Sequence, residues 1–102
     1  MLSTERALSA IGVDDSVMES IRSGLKDKDE TVRAALVTAL GHSEASTARE
    51  LLVAALGDRS ESVRVAAVEA LGRTRDRHVE LLVAALGDRS ESVRLAAVEA
   101  LV

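Results

Sequence analysis

Apolar residues recur at helical spacing along most of this chain. Val79, Leu82, Val83 and Leu86 follow the i, i+3, i+4, i+7 rule and make one apolar face. Leu81, Ala84 and Ala85 widen that face, which predicts a largely buried helix. A second stripe follows in Val93, Ala96, Ala97, Ala100 and Leu101. Between the two stripes lies "GDRSES", a run of turn and cap residues. Gly87, like Gly57 before it, is expected to end the first helix in a left-handed conformation. Ser90 is expected to start the second, with Glu91 in its positively polarised first turn. Asp88 is the alternative cap, with Glu91 three residues on as a capping box.

This two-helix pattern is written more than once. "LLVAALGDRSESVRVAAVEALG" (51–72) returns at 81–102, changed only at Val65/Leu95 and Gly72/Val102. A more diverged copy, "LKDKDETVRAALVTALG", occupies 25–41. Its spacing to the next copy is one residue longer, and the extra residue falls between units, as in a surface loop. One such hairpin cannot bury its apolar face alone, whereas stacked neighbours can. The pattern predicts seven helices, roughly 3–11, 15–25, 30–41, 46–56, 60–72, 77–86 and 90–102. They divide into an N-terminal half-unit cap (1–12) and three repeats, 13–41, 42–72 and 73–102. Gly72 should close the second helix of the middle repeat. Ser20 and Arg22 replace the Leu and Val of later copies, as suits a helix near the end of a stack.

The recurring residues resemble the HEAT-repeat family, in its short bacterial and archaeal form related to phycobilin-lyase repeats. The signature is an Asp, then six positions later an Arg preceded by Val, then an Ala-rich helix. It stands here as Asp27 with Val32-Arg33, Asp58 with Val63-Arg64, and Asp88 with Val93-Arg94. The resemblance covers 25–102 well and 1–24 loosely, and departs from the family in having no proline. It implies a right-handed, all-α solenoid of stacked helical hairpins. It also implies that Asp27, Asp58 and Asp88 meet Arg33, Arg64 and Arg94 across units as a structural ladder. In such solenoids the second helices line a concave surface where partners bind. The candidate partner-binding set is therefore Thr31, Ala34 and Thr38, then Ser62, Val65 and Glu69, then Ser92, Leu95 and Glu99.

Composition narrows the function. The 102 residues include no Phe, Tyr, Trp, Cys or Pro, so the core is built from Ala, Leu, Val, Ile and Met. A net charge of −4 and the lack of aromatics argue against nucleic-acid binding. No uninterrupted apolar run is long enough to span a membrane, and no signal peptide is apparent, so a cytoplasmic protein is expected. His42 and His78 lie near unit junctions, with Glu44 and Asp76 close in sequence, yet no metal-ligand spacing appears. "KDKDE" (26–30) lacks the Gly and terminal Glu of a calcium loop and reads as a turn with an N-cap at Asp29. No nucleophile elbow or phosphate-binding glycine loop is present, so no catalytic, metal or cofactor site is expected. Arg73, Arg75, Arg77 and His78 form the one basic cluster and read as a solvated surface.

The expected function is a non-enzymatic scaffold for a protein or peptide. Two alternatives are an accessory subunit resembling phycobilin-lyase proteins, and a designed or truncated array without a function of its own. The last unit copies an interior one, including Leu81, Leu82, Val83 and Leu86, so its flank should stay apolar and drive self-association through the C-terminal repeat.

Overall fold

The computed structural model describes residues 15–43, 45–74 and 79–102. Among them the chain is wholly helical. The helices are α1 (Asp15–Gly24), α2 (Glu30–Leu40), α3 (Ser46–Ala55), α4 (Glu61–Arg73), α5 (Val79–Ala85) and α6 (Glu91–Leu101). These are the last six of the seven predicted helices, each within two residues of its expected ends, while the helix at 3–11 and the cap at 1–12 lie outside the described residues. The helices pair as hairpins, α1–α2, α3–α4 and α5–α6, and the hairpins stack into an α-solenoid. Its extents of 48 × 31 × 16 Å fit two helix layers, since packed helices lie about 8–10 Å apart.

The two layers are unequal. The second helices α2, α4 and α6 pack on one another more extensively than any other elements, whereas the first helices touch each other sparsely. Small residues cause the difference. A Cβ placed on Gly41 would lie 2.7 Å from the Ala70 Cβ and 3.1 Å from its Cα. One placed on Gly72 would lie 2.8 Å from the Ala100 Cβ. These glycines let consecutive second helices approach backbone to backbone. Their role is closeness rather than chirality. None of the described glycines is left-handed, and Gly41 sits at φ −64°. The expected left-handed termination at Gly57 and Gly87 is therefore not what ends α3 and α5. Nor does Gly72 close its helix, because α4 continues through Arg73. Those first helices end instead in tight backbone turns, with Gly57 N–H donating to the Ala54 carbonyl and Gly87 N–H to that of Ala84.

The core lies between the layers. Leu52, Leu71, Leu82, Val37, Val63, Val68 and Val93 are its largest fully buried side chains. In α5 only Leu82 is buried, while Val79, Val83 and Leu86 are exposed, so the expectation of a largely buried helix does not hold.

The loops between paired helices carry the contacts that fix one repeat to the next. In each loop an aspartate Oδ1 accepts the backbone N–H two residues on, from Asp29, Ser60 or Ser90, at 2.8 Å every time. The arginine six residues later donates through Nη1 to the backbone carbonyl of that aspartate, at 2.7 Å for Arg33, 2.8 Å for Arg64 and 2.7 Å for Arg94. Its remaining fork reaches the next repeat. Arg33 Nε and Nη2 each donate to the Asp58 carboxylate at 3.1 Å. Arg64 does the same to Asp88 at 3.0 and 3.2 Å. The planar five-donor guanidinium serves both repeats at once, which a lysine ammonium cannot do. Arg33 and Arg64 are buried in consequence, while Arg94 is exposed.

A second rung runs beside the first. Ser60 Oγ donates to Glu30 Oε1 at 2.7 Å, and Ser90 Oγ to Glu61 Oε2 at 2.6 Å. Ser60 and Ser90 thus occupy the N-cap positions without capping by side chain, because their hydroxyls face the previous repeat. Among the described cap residues, Asp29 alone caps by side chain as expected, its Oδ1 accepting from Thr31 N–H at 2.8 Å.

The ladder sets the acid response. Burial pushes the Asp58 carboxyl up, but the Arg33 fork and the Ser60 amide outweigh it and hold it below its ordinary 3.8. At Asp88 burial is again outweighed, by the Ser90 amide and the Arg64 fork, and the carboxyl is lowered. A depressed carboxylate contributes stability that is complete above its unfolded value and is lost as pH falls through its folded value. Urea unfolding midpoints should therefore drop below pH 3.8. The double substitution Asp58→Asn, Asp88→Asn should lower the midpoint at neutral pH and flatten its fall toward about pH 3.

The glycines give a paired test by thermal melting. Gly72→Ala should destabilise by about 1–3 kcal/mol, because helix α6 must shift outward. Gly57→Ala meets nothing closer than the Ala54 carbonyl oxygen at 3.6 Å and should be neutral or stabilising by up to about 1 kcal/mol. Arg64→Lys should cost about 2–3 kcal/mol, since one bidentate pair and one loop bond cannot both be kept.

Candidate functional site

The second-helix layer turns one side inward and the other to solvent. Inward go Val37 and Leu40 of α2, Val63, Ala67 and Leu71 of α4, and Val93 and Ala97 of α6. Toward solvent go Thr31, Thr38, Ser62, Glu69, Ser92, Leu95 and Glu99, with Ala34 and Val65 half-buried. All nine residues of the candidate set thus reach the surface. Close packing of α2, α4 and α6 sets them in three adjacent rows. The rows differ in chemistry. Thr38 donates its hydroxyl back to the Ala34 carbonyl at 3.0 Å, which occupies its hydrogen. The equivalent positions in α4 and α6 are Glu69 and Glu99, so the face becomes acidic toward the C-terminal repeat.

It also becomes more apolar in the same direction. Ala34, Val65 and Leu95 stand at equivalent positions, and Leu95 is 58% exposed. Beside this row, α4 and α6 enclose a groove of about 460 Å³ lined by Glu69, Gly72, Arg73, Ala96, Glu99 and Ala100. The close approach at Gly72 forms its floor, and two carboxylates and one guanidinium stand around it. Such an opening suits an extended or helical segment with an apolar side chain and a charged rim. A smaller cavity of about 250 Å³ opens elsewhere, between the first and second repeats, among Leu25, Leu51, Ala54, Ala55 and Val63.

The ladder residues are brought together in part. Arg33 joins Asp58 and Arg64 joins Asp88 across repeats, whereas Asp27 accepts from Asp29 within its own loop and Arg94 donates within its own. The serine–glutamate rung was not anticipated from the sequence. Its signal is the recurrence of Glu30, Glu61 and Glu91 beside Ser60 and Ser90, a pattern that local capping also explains. His42 is exposed, while His78, Glu44, Asp76, Arg75 and Arg77 lie outside the described residues. Among the described residues no group of three or more His, Asp or Glu could hold a metal ion. No described helix is long and apolar enough to cross a membrane.

The family model described as HEAT repeats matches residues 18–102. No curated protein matches the chain. The matched span starts inside α1 and runs through the last residue, taking in every recurrence of the loop, the arginine fork and the close-packed second helix. The chain belongs to the HEAT-repeat family.

Proposed function

We propose that this chain is a non-enzymatic scaffold that binds a protein or peptide segment on the solvent side of its second helices. HEAT repeats generally mediate protein interactions, and the reading rests on one observation above the others. Leu95 is 58% exposed, next in sequence to Ala96, which lines the groove, and two residues from Ala97, which is fully buried. A large apolar side chain held in solvent beside a rigid small-residue floor is the composition of an anchor site. The tighter packing of the second-helix layer supports placing it on the inner side of the solenoid's curve. The acidic positions Glu69 and Glu99 give that face a sign and favour a partner segment with basic residues. The same reading places self-association at the C-terminal repeat, where Val79, Val83, Leu86 and Val98 are each exposed.

Leu95→Glu should leave the melting temperature nearly unchanged and reduce partner recovery in pull-downs with the purified chain. Ala97→Glu should instead unfold the repeat, because an unpaired charge would be buried. Equal loss of melting temperature in the two variants would place Leu95 in the core and refute this assignment of the face.

A further inference from the structure

The junction between the first two repeats holds a cavity away from the solvent side of the second helices. It opens at the loop end of α1 and α3, level with the ladder, and has a volume of about 250 Å³. Leu25, Leu51, Ala54, Ala55 and Val63 give it apolar walls. Arg22, Lys26 and Asp58 bring charge to its border. Asp58 is already committed, because both its oxygens accept from Arg33 and Oδ1 also accepts from the Ser60 amide. Arg22 reaches Glu19 at 3.7 Å, and both side chains are exposed, so that pair holds it only weakly. The Lys26 side chain has no partner among the described residues. Apolar walls thus meet two cations that can still take an anion.

The equivalent residues one junction further on differ in one respect. The side supplied by the following repeat is the same at both junctions, since Leu51, Ala54, Ala55, Asp58 and Val63 recur as Leu81, Ala84, Ala85, Asp88 and Val93. The side supplied by the preceding repeat is not, because Arg22 and Lys26 stand where Val53 and Gly57 stand. Polar residues on a helix near the end of a stack belong on its outer side. Arg22 and Lys26 instead border a cavity shared with the next repeat, so solubility alone does not explain their place. The Asp58 charge is balanced by the buried Arg33 guanidinium. With Glu19 set against Arg22, Lys26 still leaves the rim positive. Apolar walls with a cationic rim suit a ligand that has an apolar tail and one anionic end. The volume lies below the roughly 300–1,000 Å³ of drug-sized sites, which favours a short linear tail over a ring system.

We propose that this cavity binds a small amphipathic monocarboxylate, with its apolar tail among Leu25, Leu51 and Val63 and its carboxylate between Arg22 and Lys26. The site is separate from the second-helix face and stands or falls independently of it. The test is titration of the purified chain with octanoate, followed by methyl NMR, with octanol and octylamine as neutral and cationic probes carrying the same tail. Octanoate is kept below the concentration at which it forms micelles. The expected result is a saturable shift of the Leu25, Leu51, Ala54 and Val63 methyls, with octanoate binding about fivefold or more tighter than octanol. Octylamine should bind more weakly than octanol. Arg22→Gln combined with Lys26→Gln should bring octanoate down to the affinity of octanol. Ala54→Leu should fill the cavity and abolish binding, whereas Ala84→Leu, at the equivalent place one junction further on, should leave it unchanged. Ala54 and Ala84 are exposed, so both variants should keep the fold, which circular dichroism checks. If a variant loses helicity, the methyl shifts and the order of the three probes on the unaltered chain decide alone. Absence of a saturable shift, or shifts centred on other residues, overturns the site. Equal affinity for the three probes overturns the anionic ligand and the proposal with it.

Discussion

Every repeat junction in this protein turns on one arginine with two obligations. Its Nη1 closes its own interhelix loop, and the rest of its fork closes the loop of the next repeat. A guanidinium buried at such a position is tolerable only if its donors are met, because an unmet buried charge is strongly destabilising. The geometry of one loop is thereby tied to that of its neighbour. Rotation of one hairpin against the next would break several bonds together, so the ladder fixes register while apolar burial supplies most of the stabilisation.

The glycine contacts depend on that register. Gly41 fits against Ala70 and Gly72 against Ala100 only when the hairpins are aligned along their axes. Close approach on this side, with looser contact between the first helices, sets the second-helix layer as the tight one. A tight layer of small residues holds the helix backbones at fixed separations. Side chains such as Leu95 and Glu99 then project from it at spacings set by helix packing rather than by flexible loops. A face built this way would lose little conformational entropy on binding.

The third repeat shows that near-identical sequence does not by itself fix burial. Residues 81–102 nearly copy 51–72, yet Val98 and Arg94 are exposed where Val68 and Arg64 are buried. Burial is therefore a property of position in the stack. The two differences between 51–72 and 81–102 are both on the outside: Leu95 in place of Val65 on the solvent face, and Val102 in place of Gly72 at the edge. Neither alters a side chain that the interior ladder uses.

Helical periodicity and repetition were sufficient to determine the hairpins, their order and their stacking, because each depends on local pattern and on the need to cover an apolar stripe. The sequence by itself also separated the solvent row, Leu95 among it, from the inward row at Val93 and Ala97. Tertiary structure alone decided what the polar loop residues do. Ser60 and Ser90 look like helix caps because capping is the nearest local use of a serine before a helix, but their hydroxyls are taken by glutamates about thirty residues away. Gly57 and Gly87 look like left-handed stops, yet neither has the positive φ of that conformation, and the glycines that matter most, Gly41 and Gly72, act by distance to another helix. The exposure of Val79 and Val83 likewise depends on how far α5 stands from its neighbours, a distance that no periodicity along a single helix can encode.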